Sequence, residues 1–406
     1  MTTTINNEHN KLNVPNSTDR GNVIRNVPHL RFPEFEGEWE DFLINDVCSE
    51  FKSGKNIKAD SISESGEYPV YGGNGLRGYT SSYNHEGLYV LIGRQGALCG
   101  NVRSVNGKTY ITEHAIAAAG NEKSNTSFLH YLFLKMNLGQ YSDQSAQPGL
   151  AVNKLLKLKV ILPSISEQTK IARLLSLLDE CIATQSKIID RLQSLIKGME
   201  DNLLDNPLWK KTYLRSFMQF FSTNSLSWEQ LSYEEGEIRN LHYGLIHGFL
   251  THGINSVSLP MIKNEAIPKQ YTLCQVGDVA FADASEDTGE IAKSVEFVDT
   301  IEGDTICGLH TIHGRDIKNR TVVGFKGFAF NSRYFHNQIK RLAQGTKVFS
   351  ITANNLSSCY VYLPDLEKQK AIVKLLRSYE EQLIIGRMIL KQYEKQKQYM
   401  LRQMFI

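Results

Sequence analysis

The chain has 406 residues with a formal net charge of +2, longer than one hydrophobic core usually fills, so at least two domains are expected. No apolar run nears the ~20 residues a membrane span needs, and the opening Met1-Thr2-Thr3-Thr4-Ile5 lacks the basic and apolar regions of a signal peptide, so a cytoplasmic location is expected. The charge balance excludes a globally basic nucleic-acid binder: residues 30–165 carry 13 bases and 14 acids, residues 205–363 carry 15 and 16, and only residues 364–406 are net basic, with nine against five. Any nucleic-acid surface in the body must then be a local patch among compensating acids. The six cysteines are scattered, without a Cys-x-x-Cys pair, which predicts buried free thiols and no metal site.

In chain order, residues 1–27 are rich in Asn and Thr and are expected to be disordered. Residues 28–162 form a first globular segment. Within it, Glu67 to Tyr79 and Gly87 to Asn101 alternate short apolar runs with glycine clusters, the pattern of short strands and tight turns. Residues 163–206 carry apolar positions at Ile171, Leu174/Leu175, Leu178, Ile188/Ile189, Leu192 and Leu195/Ile196, which predicts a long amphipathic helix. Its start is marked by Pro163-Ser164 and its end by Asp205-Asn206-Pro207, a cap and a breaker. Residues 207–362 form a second β-rich segment, with strands expected around Cys274 to Ala282 and Gly308 to Arg315. Residues 363–406 form a second long helix. Trp39-Glu40 and Trp228-Glu229 read as a faint echo opening the two segments.

The helices repeat each other. Val160-Ile161-Leu162-Pro163 with Gln168, Ile171, Leu174 and Leu175 returns as Val361-Tyr362-Leu363-Pro364 with Gln369, Ile372, Leu375 and Leu376, 201 residues on and without an insertion. A period this long means duplication rather than a solenoid. Helices of about 39 residues would each run roughly 58 Å, and two such stripes should pack on each other. The expected fold class is α+β: two mixed α/β globular domains separated by two long antiparallel helices, in a pseudo-twofold circular arrangement.

Leu30-Arg31-Phe32-Pro33-Glu34-Phe35-Glu36-Gly37-Glu38-Trp39, the paired Leu-Pro-x-x-x-x-Gln helix starts and two dissimilar glycine-rich segments resemble the specificity subunit of type I restriction-modification systems over roughly residues 28–406. The resemblance implies target-recognition domains in the globular segments and spacer regions in the helices. It also implies a non-catalytic chain that reads a bipartite, asymmetric sequence in double-stranded DNA. The implied partners are two methyltransferase subunits, which bring S-adenosylmethionine, and restriction/translocase subunits, which bring ATP and Mg2+. No cofactor is expected in this chain.

Within that reading, Asn74 and Arg77 of the loop Gly72 to Arg77, with Arg94 and Gln95, suit base edges: arginine for guanine, asparagine or glutamine for adenine. The alternative is that the glycines serve hairpin turns and Arg94 sits in a surface ion pair. Lys52, Ser53, Lys55 and Lys58 are candidate phosphate contacts, or a solvated lysine loop. In the second segment Arg315, Lys318 and Arg320, then Arg333, Lys340, Arg341, Thr346 and Lys347, are candidate phosphate clamps, with helix surface charge as the alternative. Gln168 and Arg173 on the first helix, and Gln369, Lys374 and Arg377 on the second, are the candidate partner-docking residues. His310, His313 and Asp283 have no complete metal-ligand spacing.

An enzyme is disfavoured: the sequence has no Asn-Pro-Pro-Tyr adenine-methylation signature, no phosphate loop ending in Gly-Lys-Ser/Thr and no nucleotide-binding glycine fingerprint. A coiled-coil scaffold that binds proteins is the alternative function. Steeply salt-dependent DNA affinity separates the two.

Overall fold

The computed structural model describes residues 26–143, 148–248, 253–254, 259–299, 303–345 and 347–406. Most of the expected disordered tail lies outside them. The first segment contains β1 (Glu40–Leu43), β2 (Cys48–Ser53), β3 (Tyr68–Gly72), β4 (Gly75–Thr80), β5 (His85–Glu86), β6 (Tyr89–Gly93), β7 (Val102–Val105), β8 (Lys108–Ile111), β9 (Ala115–Gly120), α1 (Thr126–Met136) and β10 (Lys159–Leu162). It leads into α2 (Ile165–Leu204). The second contains β11 (Lys210–Tyr213), β12 (Met218–Phe221), β13 (Leu231–Ser232), β14 (Arg239–Leu241), β15 (Gly253–Ile254), β16 (Met261–Ile262), β17 (Val279–Ala282), β18 (Ala284–Ser285), β19 (Ser294–Phe297), β20 (Thr305–Cys307), β21 (Thr311–Asp316), α3 (Arg333–Leu342), β22 (Phe349–Ser350) and β23 (Tyr360–Leu363), then α4 (Leu366–Gln403). Two compact units result, residues 1–186 with 389–406 and residues 187–388, so each takes one globular segment and part of both long helices.

The helix starts are capped as the sequence implies. Ser164 Oγ accepts the Glu167 N–H at 3.4 Å, and Asp365 Oδ1 accepts the Lys368 N–H at 2.8 Å, meeting donors the first helical turn leaves free. In the first unit Ile171, Ala172, Leu175 and Leu178 of α2 share a core with Leu401 and Met404, and Lys397 pairs with Asp179. In the second, Met199, Leu203 and Leu204 meet Ile372, Val373 and Leu376. Within each unit, rising numbers in α2 meet falling numbers in α4, so the helices run antiparallel.

The first unit stacks a sheet ordered β2-β9-β6-β7 against α1. Strand alternation splits its residues: Val90, Ile92, Ile116 and Ala118 pack on Phe128, Leu129 and Leu132 of α1, while Leu91, Val105, Ile111, Ala115 and Ala117 make a separate small core with Tyr71 and Tyr89. A second sheet is ordered β4-β3-β8-β5, and β1 pairs with β10.

The second unit repeats this plan. Its large sheet runs β12-β21-β17-β19 with β15 added, its smaller sheet holds β16-β14-β20 with β13 added, and β11 pairs with β23. The parallel pair β3·β8 has its counterpart in the parallel pair β14·β20. Duplication therefore extends through the globular segments. It also corrects the expected tryptophan echo: Trp39 precedes β1, and its counterpart before β11 is Trp209, whereas Trp228 lies in a 3-10 turn inside the second segment.

Candidate nucleic-acid interface

In the first unit, several strands end along one rim, at the end of the large sheet away from α2. As β2 runs out at Ser53, Gly54 N–H donates to Ala115 O and Lys55 N–H to Ile111 O, both at 3.0 Å. β3 and β4 turn through Gly73-Asn74, with Gly72 facing Gly75. Gly75 has φ +110°, and a Cβ on Gly73 would fall 2.6 Å from His114 O, so the hairpin tip presses against the next loop in a way only glycine permits. β6 ends at Gly93, and Arg94 N–H donates to His114 O at 2.9 Å. The rim thus gathers Lys55, Asn74, Arg94 and Gln95, predicted from sequence, with Ser53 and Arg77 at its edge. Asn74, Arg77 and Gln95 are exposed and Arg94 is half-buried.

Two rim residues escaped the sequence reading. His114 is exposed, with Nδ1 3.3 Å from Gln95 Oε1 and Nε2 3.2 Å from Glu113. Arg103 brings its guanidinium to 2.2 Å from where a Cβ on Gly75 would stand. Arg103 lies on β7, outside any glycine-rich turn. Lys52 is exposed and pairs with Glu50 at 3.2 Å. Burial would raise the Glu50 carboxyl, but Lys52 and His85 outweigh it and hold it below its usual range.

The second unit builds the same rim on a matching hydrogen-bond frame. Leu150 N–H donates to Arg94 O at 2.9 Å, and Ile351 N–H to Asp283 O at 2.9 Å; Arg94 N–H donates to His114 O at 2.9 Å, and Asp283 N–H to His310 O at 3.0 Å. Residues 150 and 351 stand 201 apart, the offset of the helices. Gln95 bridges Gly149 where Ala284 pairs with Ser350. Asp283 therefore occupies the place of Arg94, Ala284 that of Gln95 and His310 that of His114. His310 holds φ +52°, lies 3.1 Å from Asp283 Oδ1 and meets the Tyr243 ring edge-on at 5.3 Å. Lys347 is exposed in the turn before β22; Thr346 lies outside the described residues.

Other predicted residues sit elsewhere. Arg315 is not a free phosphate clamp: Nε donates to Asp278 Oδ1 at 2.8 Å, and Nη2 donates to Asp278 Oδ2 at 2.7 Å and Leu273 O at 2.8 Å. Asp278 is buried; burial would raise its carboxyl, yet Arg315 and His313 hold it below its ordinary value. Lys318 and Arg320 are exposed at the opposite end of β21 from His310, in a turn organised by Asp316, which accepts the Lys318 and Thr321 N–H groups. Arg333 opens α3 and, with Lys340, His336 and Lys293, lines a cleft against Lys197 and Arg387.

Gln168 and Gln369 do not face outward, because both are fully buried. Gln168 accepts the Asn125 N–H at 2.8 Å and donates to Lys123 O and Pro163 O at 2.9 Å. Gln369 accepts the Val322 N–H and donates to Arg320 O and Pro364 O, all at 3.0 Å. Each amide clamps a long helix to the loop after β9 or β21, where backbone groups would otherwise be unpaired. Arg173 and Lys374 remain exposed, and Arg377 is half-buried 3.8 Å from Asp299.

The family described as type I restriction modification DNA specificity domain matches residues 36–194 and 310–395. The chain is 43% identical over 180 residues to the type I restriction enzyme EcoprrI specificity subunit of Escherichia coli, an alignment covering 43% of this chain and 44% of the relative, so it spans under half of that relative's length. It is 25% identical over 400 residues to the type I restriction enzyme MjaVIII specificity subunit of Methanocaldococcus jannaschii, covering 91% of each. Its fold is similar to the crystal structure of a type I restriction-modification S subunit from M. genitalium, with a TM-score of 0.64 and 16% identity, covering 94% of this chain and 99% of that one. A helix repeat, a duplicated pair of sheets and a family match across both halves converge: the chain belongs to the type I restriction-modification DNA specificity family.

Proposed function

We propose that this chain is the non-catalytic sequence-reading subunit of a type I restriction-modification complex. The carrying observation is the pair of rims on one backbone frame with different side chains, Arg94-Gln95 with His114 in one unit and Asp283-Ala284 with His310 in the other. An arginine fork suits guanine O6 and N7, a glutamine suits adenine, and an aspartate accepts from cytosine N4. Equivalent frames carrying unlike donors and acceptors support reading of unlike half-sites, hence an asymmetric target. Lys55 and Lys347 beside them supply phosphate contacts that set register without reading sequence.

Partner docking falls to the outward helix faces. In the second unit Ile188 and Leu195 on α2, and Ile384, Ile385 and Met388 on α4, are large apolar side chains left in solvent, the pattern a partner helix covers. The partners proposed are two methyltransferase subunits and the restriction/translocase subunits, which carry S-adenosylmethionine, ATP and Mg2+. This chain contributes recognition and assembly only.

The test is single-molecule methylation sequencing of a host with and without this gene, the methyltransferase partner being present in both. Deletion is expected to erase one two-part adenine-methylated motif. Arg94→Ala is expected to relax or shift one half of that motif, and Asp283→Ala the other. An unchanged methylome on deletion refutes the subunit role; both substitutions disturbing the same half refutes the assignment of one rim to each half-site.

A further inference from the structure

The second unit places a buried, chemically soft cluster where the first unit has hydrocarbon and, in the place of Cys274, Asn84 bonded to His85. By strand register His313 stands opposite Ala280 as Ala117 stands opposite Leu91, and Cys307 closes β20 as Ile111 closes β8. In the first unit Leu91, Ile111 and Ala117 simply pack together. In the second, the ligand atoms of Cys274, Cys307 and His313 all lie within 4.8 Å of one another, and all three residues are buried. The duplicated fold does not itself require these side chains, since its other copy is built without them.

Three observations point to a cation. Cys274 Sγ and Cys307 Sγ are 3.6 Å apart, too far for a disulfide but close to the roughly 3.7 Å edge of a tetrahedron with ~2.3 Å metal–sulfur bonds. His313 is fully buried, its Nε2 lies 2.7 Å from Asp278 Oδ2, and its Nδ1 is buried without a hydrogen-bond partner. An imidazole that donates Nε2–H to a carboxylate carries its lone pair on Nδ1, the way metal-ligating histidines are held. Charge is consistent with the valence: once an ion has displaced both thiol protons, two thiolates and Asp278 against Arg315 sum to a charge that one divalent ion neutralises.

We propose that Cys274, Cys307 and His313 bind one thiophilic divalent cation, zinc by its donor set, with Asp278 orienting the imidazole and water in the fourth position. Each thiol surrenders its proton to solvent as the ion binds, so binding weakens in acid. The site has a structural consequence for the rim. Cys307 and His313 bracket His310, three residues away on either side, so the ion clamps both flanks of the turn that presents His310 beside Asp283. The second rim is thereby stiffened by a bond set for which the first has Asn84 hydrogen-bonded to Ile111 and His85, with packing around it.

The full chain, purified with its methyltransferase partner and freed of loose metal by gel filtration, is analysed by inductively coupled plasma mass spectrometry. One zinc per chain above the metal content of the partner alone is expected. Cys274→Ser/Cys307→Ser is expected to lose it and Cys181→Ser, at an exposed thiol, to keep it. Because the double variant can misfold, the wild-type complex is also stripped with chelator and titrated with Co2+ alone. Thiolate-to-cobalt charge-transfer and visible d–d bands, reversed by Zn2+, are expected. Absence of both zinc and cobalt bands in the wild-type complex overturns the site, whether the thiols prove free or joined as a disulfide.

Discussion

His130 shows how one residue sets a pH limit. It lies on α1 with Nδ1 buried and unpartnered, and burial pushes its imidazole from 6.5 down to about 4, with Lys397 adding to the shift and Asp179 opposing it. The unfolded chain takes up this proton as the pH falls below 6.5, whereas the folded chain resists until about 4. Stability from a neutral His130 is therefore full above 6.5 and drains away as pH drops towards 4, by about 3 kcal/mol across the window. His130→Phe should flatten that part of the profile, which urea midpoints at about pH 7 and about pH 5 would reveal; equal losses in variant and parent would refute it. The two buried glutamines each hold a long helix to a neighbouring loop. Gln168→Leu strands the Asn125 N–H and the Lys123 and Pro163 carbonyls, and Gln369→Leu does the same around Val322 and Arg320. Each should cost about 2–3 kcal/mol, and hydrogen exchange should place the lost protection in the first unit for Gln168 and in the second for Gln369.

At the scale of elements, the long helices were legible because 3.6-residue periodicity sums over many turns. Ile171, Leu175, Leu178, Ile189 and Ile196 are all buried as their spacing implied. The glutamines share that stripe, yet an amide reads as a surface group when the loop groups it bonds lie 43–49 residues away in sequence. The first rim was partly legible for a different reason: glycines that permit tight turns also mark where strands end, and Asn74, Arg94 and Gln95 flank them. The second rim was not, because duplication there survives in backbone hydrogen bonds rather than in side chains. Arg315 looks like a free cation in the sequence because its partner Asp278 is 37 residues distant and buried. The solvent face of α2 bears large apolar side chains. Ile188 is 42% and Leu195 45% exposed, so Ile188→Asp/Leu195→Asp should leave the chain's own stability within about 0.5 kcal/mol. The same pair should weaken capture of the methyltransferase in co-purification. Unaltered capture would move the docking face elsewhere on the helix.

For the whole molecule, the consequence of duplication is modularity. The first unit packs around its own two clusters and the second around its own three, and each globular segment is anchored by a two-stranded ribbon of the same kind, β1·β10 or β11·β23. A segment that enters and leaves through such a ribbon can be exchanged without disturbing the core of the other unit. Replacing residues 207–362 with the corresponding segment of a relative should therefore change one half of the methylated motif and preserve the other half. The spacing between halves should also persist, since α2 and α4 are retained. The phosphate contacts proposed for both rims add a condition: log affinity for DNA should fall linearly with log salt, and Lys55→Ala or Lys347→Ala should each lower that slope by roughly one while leaving the motif intact. A chimera that altered both half-motifs would show that recognition is shared between the segments rather than partitioned between them.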